Sequence, residues 1–477
     1  MIHNWLSRYS PRYPRALVYM LQASEYHVRE YVAWLERTKN FSHIEKRKTL
    51  VKNPKVLLLL AITWLILLSL YGVGIMIFWH AMSVRHYIEG IFLIVFAPYI
   101  TSYWIIIPLV ILKSLIQSPI EYFTIRTARK TLAQHNAVKI AIAGSFGKTS
   151  MREILKTVLS EGKKVAAPPH SYNTPLGISA FVKTLKGDEE ILIFELGEYY
   201  PGDVKKLCEL VKPDKGIITG INEAHLEKFK TIEKTVGTIF ELADWFKEKP
   251  IYVNGENRLA KERANNKHIL YTRGGSGNWN VSTPISNLNG TSFVLRNGDK
   301  QISIHSHLLG LHQIGPLACA AAIALELGLS DDQIQNGINN TKPFDQRLEP
   351  KKDSSGVITL DDSYNGNPDG VKAVIDFLAS LSYHRRWYVT PGLVEMGTKT
   401  ETVHHEIGRQ LAVAHIEKII LIKNSVTPFI EQGLKESRFN GEIIWFDDAL
   451  AAFAALPALT LPGDVVLLQN DWPDQYN

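Results

Sequence analysis

Twenty-four consecutive uncharged residues, Val56 to Trp79, leave this chain few ways to fold. The run VLLLLAITWLILLSLYGVGIMIFW is apolar on every side of a helix, and a helix needs about 20 such residues to cross a bilayer. A second run, Ile88 to Leu112, follows a short link and carries only Glu89 near its start. Two such runs back to back predict a transmembrane helix hairpin, with spans at about 56–79 and 88–112 inside a segment 55–115. More than fifty residues precede the first run, which excludes a signal peptide. Pro98 and Pro108 are expected to kink the second helix. Trp79, Tyr87 and Trp104 are expected at the interfaces.

Charge sets the orientation. Met1 to Lys55 holds eleven Lys/Arg against four Asp/Glu, whereas the whole chain is only +6, so the remainder sums to −1. The basic character belongs to one end. That argues against a nucleic-acid partner, which calls for basic patches on folded domains, and suits an anionic membrane face. The link His80–Tyr87 holds one strong base, Arg85. Lys46, Arg47, Lys48, Lys52 and Lys55 precede the hairpin, and Lys113, Arg126, Arg129 and Lys130 follow it. The positive-inside rule then predicts a multi-pass cell-membrane protein with both termini and the catalytic domains in the cytoplasm. Residues 1–54 read as a basic amphipathic cytoplasmic segment. Within it, Ala16 to Thr38 reads as one amphipathic helix, either on the membrane surface or packed on the next domain. Cys208 and Cys319 are expected as buried small hydrophobes in a reducing compartment, too few for a zinc site.

After Asn136 the pattern changes to short apolar strands alternating with helices. Val138–Ala143, Ile191–Glu195, Gly216–Thr219 and Ile251–Asn254 read as strands of a parallel sheet. Residues 269–306, punctuated by Gly-Gly and Asn-Gly, read as a small antiparallel insert. From Phe344 onward a second α/β block carries strands at Val357–Leu360, Trp387–Thr390, Lys418–Ile422, Glu442–Trp445 and Asp464–Leu468. The expected fold is therefore α/β: a P-loop parallel-sheet ATPase domain at 116–343, then a Rossmann-like α/β domain at 344–477, both after the hairpin.

The strongest chemical motif closes the first strand. Gly144-Ser145-Phe146-Gly147-Lys148-Thr149-Ser150 runs from a buried strand through a glycine loop into a helix start. Glycines let backbone amides approach phosphate oxygens, and the helix N-terminus adds partial positive charge. Lys148 can reach outer phosphates, and the Thr149 hydroxyl can ligate magnesium. The first glycine of the usual eight-residue pattern is missing, since Ile142 stands there.

This short loop resembles that of the Mur ligase family, and the resemblance runs from about Ala137 to Leu468. Tyr172-Asn-Thr-Pro-Leu-Gly177, Phe194-Glu-Leu-Gly197, Thr219-Gly-Ile-Asn222-Glu-Ala-His225-Leu-Glu227, Asn254-Gly-Glu-Asn257, Gly310-Leu-His312-Gln313 and Phe344-Asp-Gln-Arg347-Leu-Glu349 are similar to its ordered motifs. Leu360-Asp-Asp-Ser-Tyr-Asn-Gly-Asn-Pro-Asp369 is similar to a segment of its D-alanyl-D-alanine-adding, MurF-like branch. Gly392-Leu-Val-Glu395-Met-Gly397 and His404-His-Glu-Ile-Gly408 continue that likeness.

The resemblance implies a ligase that activates a carboxylate with ATP and Mg2+ as an acyl phosphate, which an amine then attacks. It implies that Lys148, Glu195, His225 and Arg347 serve catalysis. It makes Thr149, Glu195 and His225 metal ligands. Gly144 to Ser150, Asn222, Asp362, Tyr364 and Asn365 then hold the nucleotide, while Asp361 is the alternative structural acid beside Asp362. The implied partners are an amino acid or dipeptide and an envelope precursor of the peptidoglycan type, UDP-linked or lipid-linked, beside membrane lipids.

Four departures qualify this. The family's carbamoylated lysine falls on Ile239, with Glu241 two residues on and Glu223 and Glu227 as other acids. A helix asparagine falls on Pro316. A C-terminal Lys-Gly-Ser is replaced by Gln469-Asn470-Asp471. The basic segment and hairpin stand where soluble members recognise a UDP-sugar carrier. Two rival readings follow: a membrane ligase making a polyamino-acid envelope polymer, and a degenerate ATP-binding scaffold.

Overall fold

The computed structural model describes residues 6–24, 26–42, 44, 49–169, 172–222, 229, 231–364, 366–394 and 396–470. It divides into two compact units, Met1–Phe123 and Thr124–Asn477.

In the first unit, two helices are long and apolar enough to cross a membrane by length and composition, one at Pro54–Trp79 and one that starts at Val84. Each begins on a polar cap. Asn53 accepts the Val56 N–H ahead of Pro54 at the first helical position, and Ser83 accepts the His86 N–H. The two helices pack through glycines. A Cβ on Gly74 would lie 2.8 Å from Ile94 Cγ1, and one on Gly90 would lie 2.9 Å from the Phe78 backbone nitrogen. Only residues without side chains allow backbones this close.

The second helix differs from the expected single span 88–112. It runs Val84–Trp104, breaks at Ile105 and resumes as Ile106–Leu112. Pro108 is the cause, because it cannot donate to the Trp104 carbonyl and its ring crowds that oxygen. Pro98 is accommodated inside the first stretch.

The single amphipathic helix expected over 16–38 is two helices, Tyr13–Ala23 and Val28–Arg37. Tyr26, at φ +60°, turns the chain between them. Their apolar residues Leu17, Met20, Leu21, Tyr31 and Leu35 are buried with Val56, Leu59, Ile105 and Leu109 from the apolar helices. The Tyr31 hydroxyl donates to the Ser102 carbonyl at 2.7 Å. The segment therefore packs on the feet of the helix pair.

The second unit contains two sheets. The first has strands β1 (Val138–Ala143), β2 (Val165–Ala166), β3 (Ile191–Glu195), β4 (Lys215–Ile218), β5 (Tyr252–Asn254), β6 (Ile269–Thr272), β7 (Gly275–Ser276), β8 (Trp279–Asn287), β9 (Gly290–Asn297) and β10 (Lys300–Ser306). Their order is β10-β9-β8-β7-β6-β5-β4-β1-β3-β2. β2 to β6 are parallel around β1. β7 to β10 are antiparallel and extend the same sheet rather than forming a separate insert. β1 and its neighbour β3, both interior strands, are almost entirely buried, as strands of a doubly covered parallel sheet require.

The second sheet has β11 (Glu349–Lys352), β12 (Ile358–Asp362), β13 (Arg386–Thr390), β14 (Lys418–Ile422), β15 (Glu442–Phe446) and β16 (Val465–Gln469). Its order is β11-β12-β16-β13-β14-β15, parallel except for β11. β2, Val-Ala, is too short to show periodicity, and β11, Glu-Pro-Lys-Lys, is too polar, so neither was readable in the sequence. Cys208 and Cys319 are free and buried.

Candidate functional site

The site grows from the C-terminal ends of β1, β3 and β4, where parallel sheets place ligands. β1 ends at Ala143, and Gly144 (φ +149°) and Gly147 (φ +80°) carry the chain round to the helix Lys148–Leu159. At Gly144 a Cβ would fall 2.2 Å from the Thr219 hydroxyl, so only glycine fits. The loop is tied to the turn after β4. The Ser145 N–H donates to the Gly220 carbonyl at 2.7 Å and the Thr219 N–H to Ala143 at 2.9 Å.

Two amides of the expected cradle, those of Ser145 and Phe146, are thus already spent on Gly220. The helix start offers the rest. No side-chain hydrogen bond caps this helix, and its first backbone bond runs from the Met151 N–H to Gly147. The first-turn amides of Lys148, Thr149 and Ser150 lack intrahelical acceptors and sit at the positive end of the helix dipole.

Four charged side chains interlock beside this start. Lys148 Nζ donates to both Glu198 carboxylate oxygens at 2.9 Å and to the Gly144 carbonyl. Arg152, one helical turn on, approaches Glu195 Oε1 at 2.7 Å. The Thr149 hydroxyl donates to Glu195 Oε2 at 3.1 Å. Glu195 and Glu198 are only 2% and 3% exposed, which leaves solvent little part in balancing their charge. Burial pushes the Glu195 carboxyl above its ordinary range, against the pull of Arg152 and Lys148. The backbone that presents both acids is pinned: the Leu196 N–H donates to Ile142 and the Gly197 N–H to Asn173. Neither Glu198 nor Arg152 was singled out in the sequence, although Arg152 stands four residues after Lys148 on the same helix face.

A second set of residues comes from the second sheet. Asp362, at the end of β12, accepts the Leu348 N–H at 3.1 Å and the Gln469 side-chain amide at 2.5 Å. Burial pushes its carboxyl up to about 7, with Arg347 pulling the other way. Arg347 stacks on the Tyr364 ring at 4.4 Å and is flanked by left-handed Gln346 (φ +58°) and Leu348 (φ +51°). Such backbone is costly and persists where surrounding contacts enforce it. Burial lowers the Arg347 pKa, opposed by Asp362, then Tyr364, then Glu195. That last influence brings the Glu195 carboxylate, from the first sheet, to bear on Arg347.

Asp361 instead holds Ser363 and Lys351, the structural alternative of the two acids. His404, the first residue of the His404–Gly408 segment, is fully buried. It accepts the Leu393 N–H on Nε2, and its Nδ1 faces the Thr400 carbonyl, so it is a neutral structural imidazole. Asn222 is buried just after β4. His225 and Asn365, both expected in the site, lie outside the described residues.

The donor set suits Mg2+ and a nucleoside triphosphate. Ser145 Oγ is buried with no hydrogen-bond partner among the described residues, at the loop where a phosphate oxygen would sit. Asn470, at φ +68°, holds a buried side-chain amide likewise without a partner among them. Thr149 and Glu195 supply the oxygen ligands a hard divalent cation prefers.

Family models for the Mur ligase middle domain and the Mur ligase glutamate ligase domain match residues 142–324 and 346–469. The UDP-N-acetylmuramoyl-tripeptide–D-alanyl-D-alanine ligase of Mycobacterium leprae is 27% identical over 362 residues, covering 69% of this chain and 70% of that protein. The Mycobacterium tuberculosis enzyme of the same name is 28% identical over 355 residues, covering 69% of each. Among solved structures, the MurF ligase of Thermotoga maritima in complex with ADP superposes with a TM-score of 0.64 at 22% identity. It covers 74% of this chain and 80% of that one, which shows a shared fold.

Proposed function

The chain belongs to the Mur ligase family, and on that premise we propose that it joins an amino acid or dipeptide to the carboxylate of a peptidoglycan-type precursor through an acyl phosphate, at a membrane face. The observation that carries the reading is the junction of Lys148, Thr149 and Glu195 at the C-terminal ends of β1 and β3. Bound ATP with Mg2+ supplies the phosphoryl group that activates the carboxylate and the charge that steadies its transfer.

The chain's own residues do the holding. The amides of Lys148 to Ser150 and the Lys148 ammonium receive the outer phosphates. Thr149, Glu195 and His225 hold the cation. Arg347 steadies phosphoryl charge from the other sheet, its stack on Tyr364 keeping the guanidinium in one plane. Asp362, with Tyr364 and Asn365 beside it, receives the ribose. D-Alanyl-D-alanine, which the curated relatives use by name, is the first candidate amine.

Membrane anchoring rests on the two long apolar helices and the basic residues outside them. It makes a lipid-linked acceptor as reasonable a candidate as a UDP-linked one. The test is phosphate release by full-length protein in detergent, with D-alanyl-D-alanine and either precursor. Release that needs both amine and acceptor is expected. Equal release without an acceptor would reject the ligase reading.

A further inference from the structure

Lys148 cannot take a phosphate and keep all of its present contacts. Its ammonium has three donors, and both Glu198 oxygens and the Gly144 carbonyl take them. Turning to a phosphate therefore loosens the ammonium from a carboxylate that is 3% exposed. The incoming phosphates also add negative charge beside it. A buried acid facing an anion is held apart by repulsion unless a cation of sufficient charge lies between them. The site already offers oxygen ligands for one in Thr149 and Glu195, and Glu198 leaves the same pinned backbone three residues after Glu195.

We infer that Glu198 is a divalent-cation ligand of the nucleotide-bound protein, exchanging the Lys148 ammonium for the metal as Lys148 moves to the phosphates. The inference rests on the proposed reading that Lys148 grips phosphate, and goes beyond it by giving the cation a ligand outside the Thr149–Glu195 pair. It also makes nucleotide and cation binding strongly cooperative, since each removes the partner the other needs removed.

The test uses full-length protein in detergent with Mn2+ as the cation probe and a non-hydrolysable ATP analogue. Free Mn2+ is followed by electron paramagnetic resonance, and analogue affinity is measured in Mn2+ and in chelator. Wild type is expected to bind the analogue far more tightly with Mn2+ than without. Glu198→Gln is expected to weaken Mn2+ in the ternary complex by about tenfold or more. In chelator it should bind the analogue more tightly than wild type, because Lys148 is released. Glu198→Asp keeps the charge and guards against a folding defect; its shorter reach should also weaken Mn2+. Unchanged Mn2+ affinity in folded Glu198→Gln would overturn the inference, whatever its melting temperature does. Failure of wild type to bind the analogue even with Mn2+ would overturn the nucleotide-site reading itself.

Discussion

The Thr149 hydroxyl donates to a Glu195 carboxylate oxygen at 3.1 Å, joining the first turn after the phosphate loop to the end of β3. The bond sets side by side the two oxygens proposed as cation ligands. Thr149→Val keeps the shape and removes the oxygen. Its Mg2+-dependent nucleotide affinity should fall about 10- to 100-fold, the worth of one lost charge-assisted contact. Affinity measured in chelator should barely move. An equal loss in both conditions would mean the hydroxyl serves the loop rather than the metal.

Asp362 gives the protein a pH signature. Its folded pKa, about 7, lies above the ordinary 3.8, so the folded chain keeps a proton that the unfolded chain releases between those values. Stability from this group is therefore highest at low pH, falls as pH rises from 4 to 7, and levels off above. Asp362→Asn should flatten that slope and raise the melting temperature at pH 8. Gln469, whose Oε1 has no partner among the described residues, can turn its amide to suit the new donor. Thermal melts of both proteins from pH 5 to 8 decide this. A variant less stable at pH 8 would show that the carboxylate is charged and satisfied.

Much of this site was readable before the fold. The strands β1, β3 and β14 match their expected bounds residue for residue, because each holds a buried apolar stretch that marks it in the sequence. The phosphate loop was readable because its glycines and Lys148 are local in sequence. What escaped was long-range or backbone-specific. The Lys148–Glu198 pair joins residues fifty apart that meet only because β1 and β3 are neighbours. The turn at Tyr26 rests on a left-handed tyrosine that no turn composition announces. The break at Ile105 lies three residues before Pro108, where the missing donor is felt, not at the proline itself.

The hairpin's orientation is open to direct test. Arg85 is the one strong base of the link, against nine Lys/Arg close outside the hairpin: Lys46, Arg47, Lys48, Lys52, Lys55, Lys113, Arg126, Arg129 and Lys130. Basic residues outside the hairpin then dominate the orientation. Reporter fusions at residues 1 and 477 should both report cytoplasm, and an insertion at Met82 should report the opposite face. A cytoplasmic signal from Met82 would dismiss the spanning hairpin. An external signal at residue 477 would part the site from cellular ATP.

The last prediction concerns Ile239 and bicarbonate. The resemblance places a carbamoylated lysine at this position, but Ile239 is fully buried in the apolar cluster around Phe240 and Leu242 and offers no ligand. Glu241, two residues on, is also committed elsewhere. It accepts the Gly202 N–H at 2.7 Å and the Lys205 N–H at 2.8 Å, capping the helix Asp203–Val211, whose own N-cap, Gly202, has no side chain to do so. Glu223 and Glu227 lie outside the described residues, and Lys234 is exposed in the first turn of its helix. If Glu198 supplies the negative charge, no carbamate is needed. Amine-dependent phosphate release should then be the same in carbon-dioxide-depleted buffer and with added bicarbonate. Glu241→Gln should cost about 1 kcal/mol of stability through the weakened cap, with Mn2+ affinity unchanged. Release that collapses without bicarbonate and returns on its addition would show that a lysine elsewhere carries a carbamate. It would also remove the need for Glu198 at the metal.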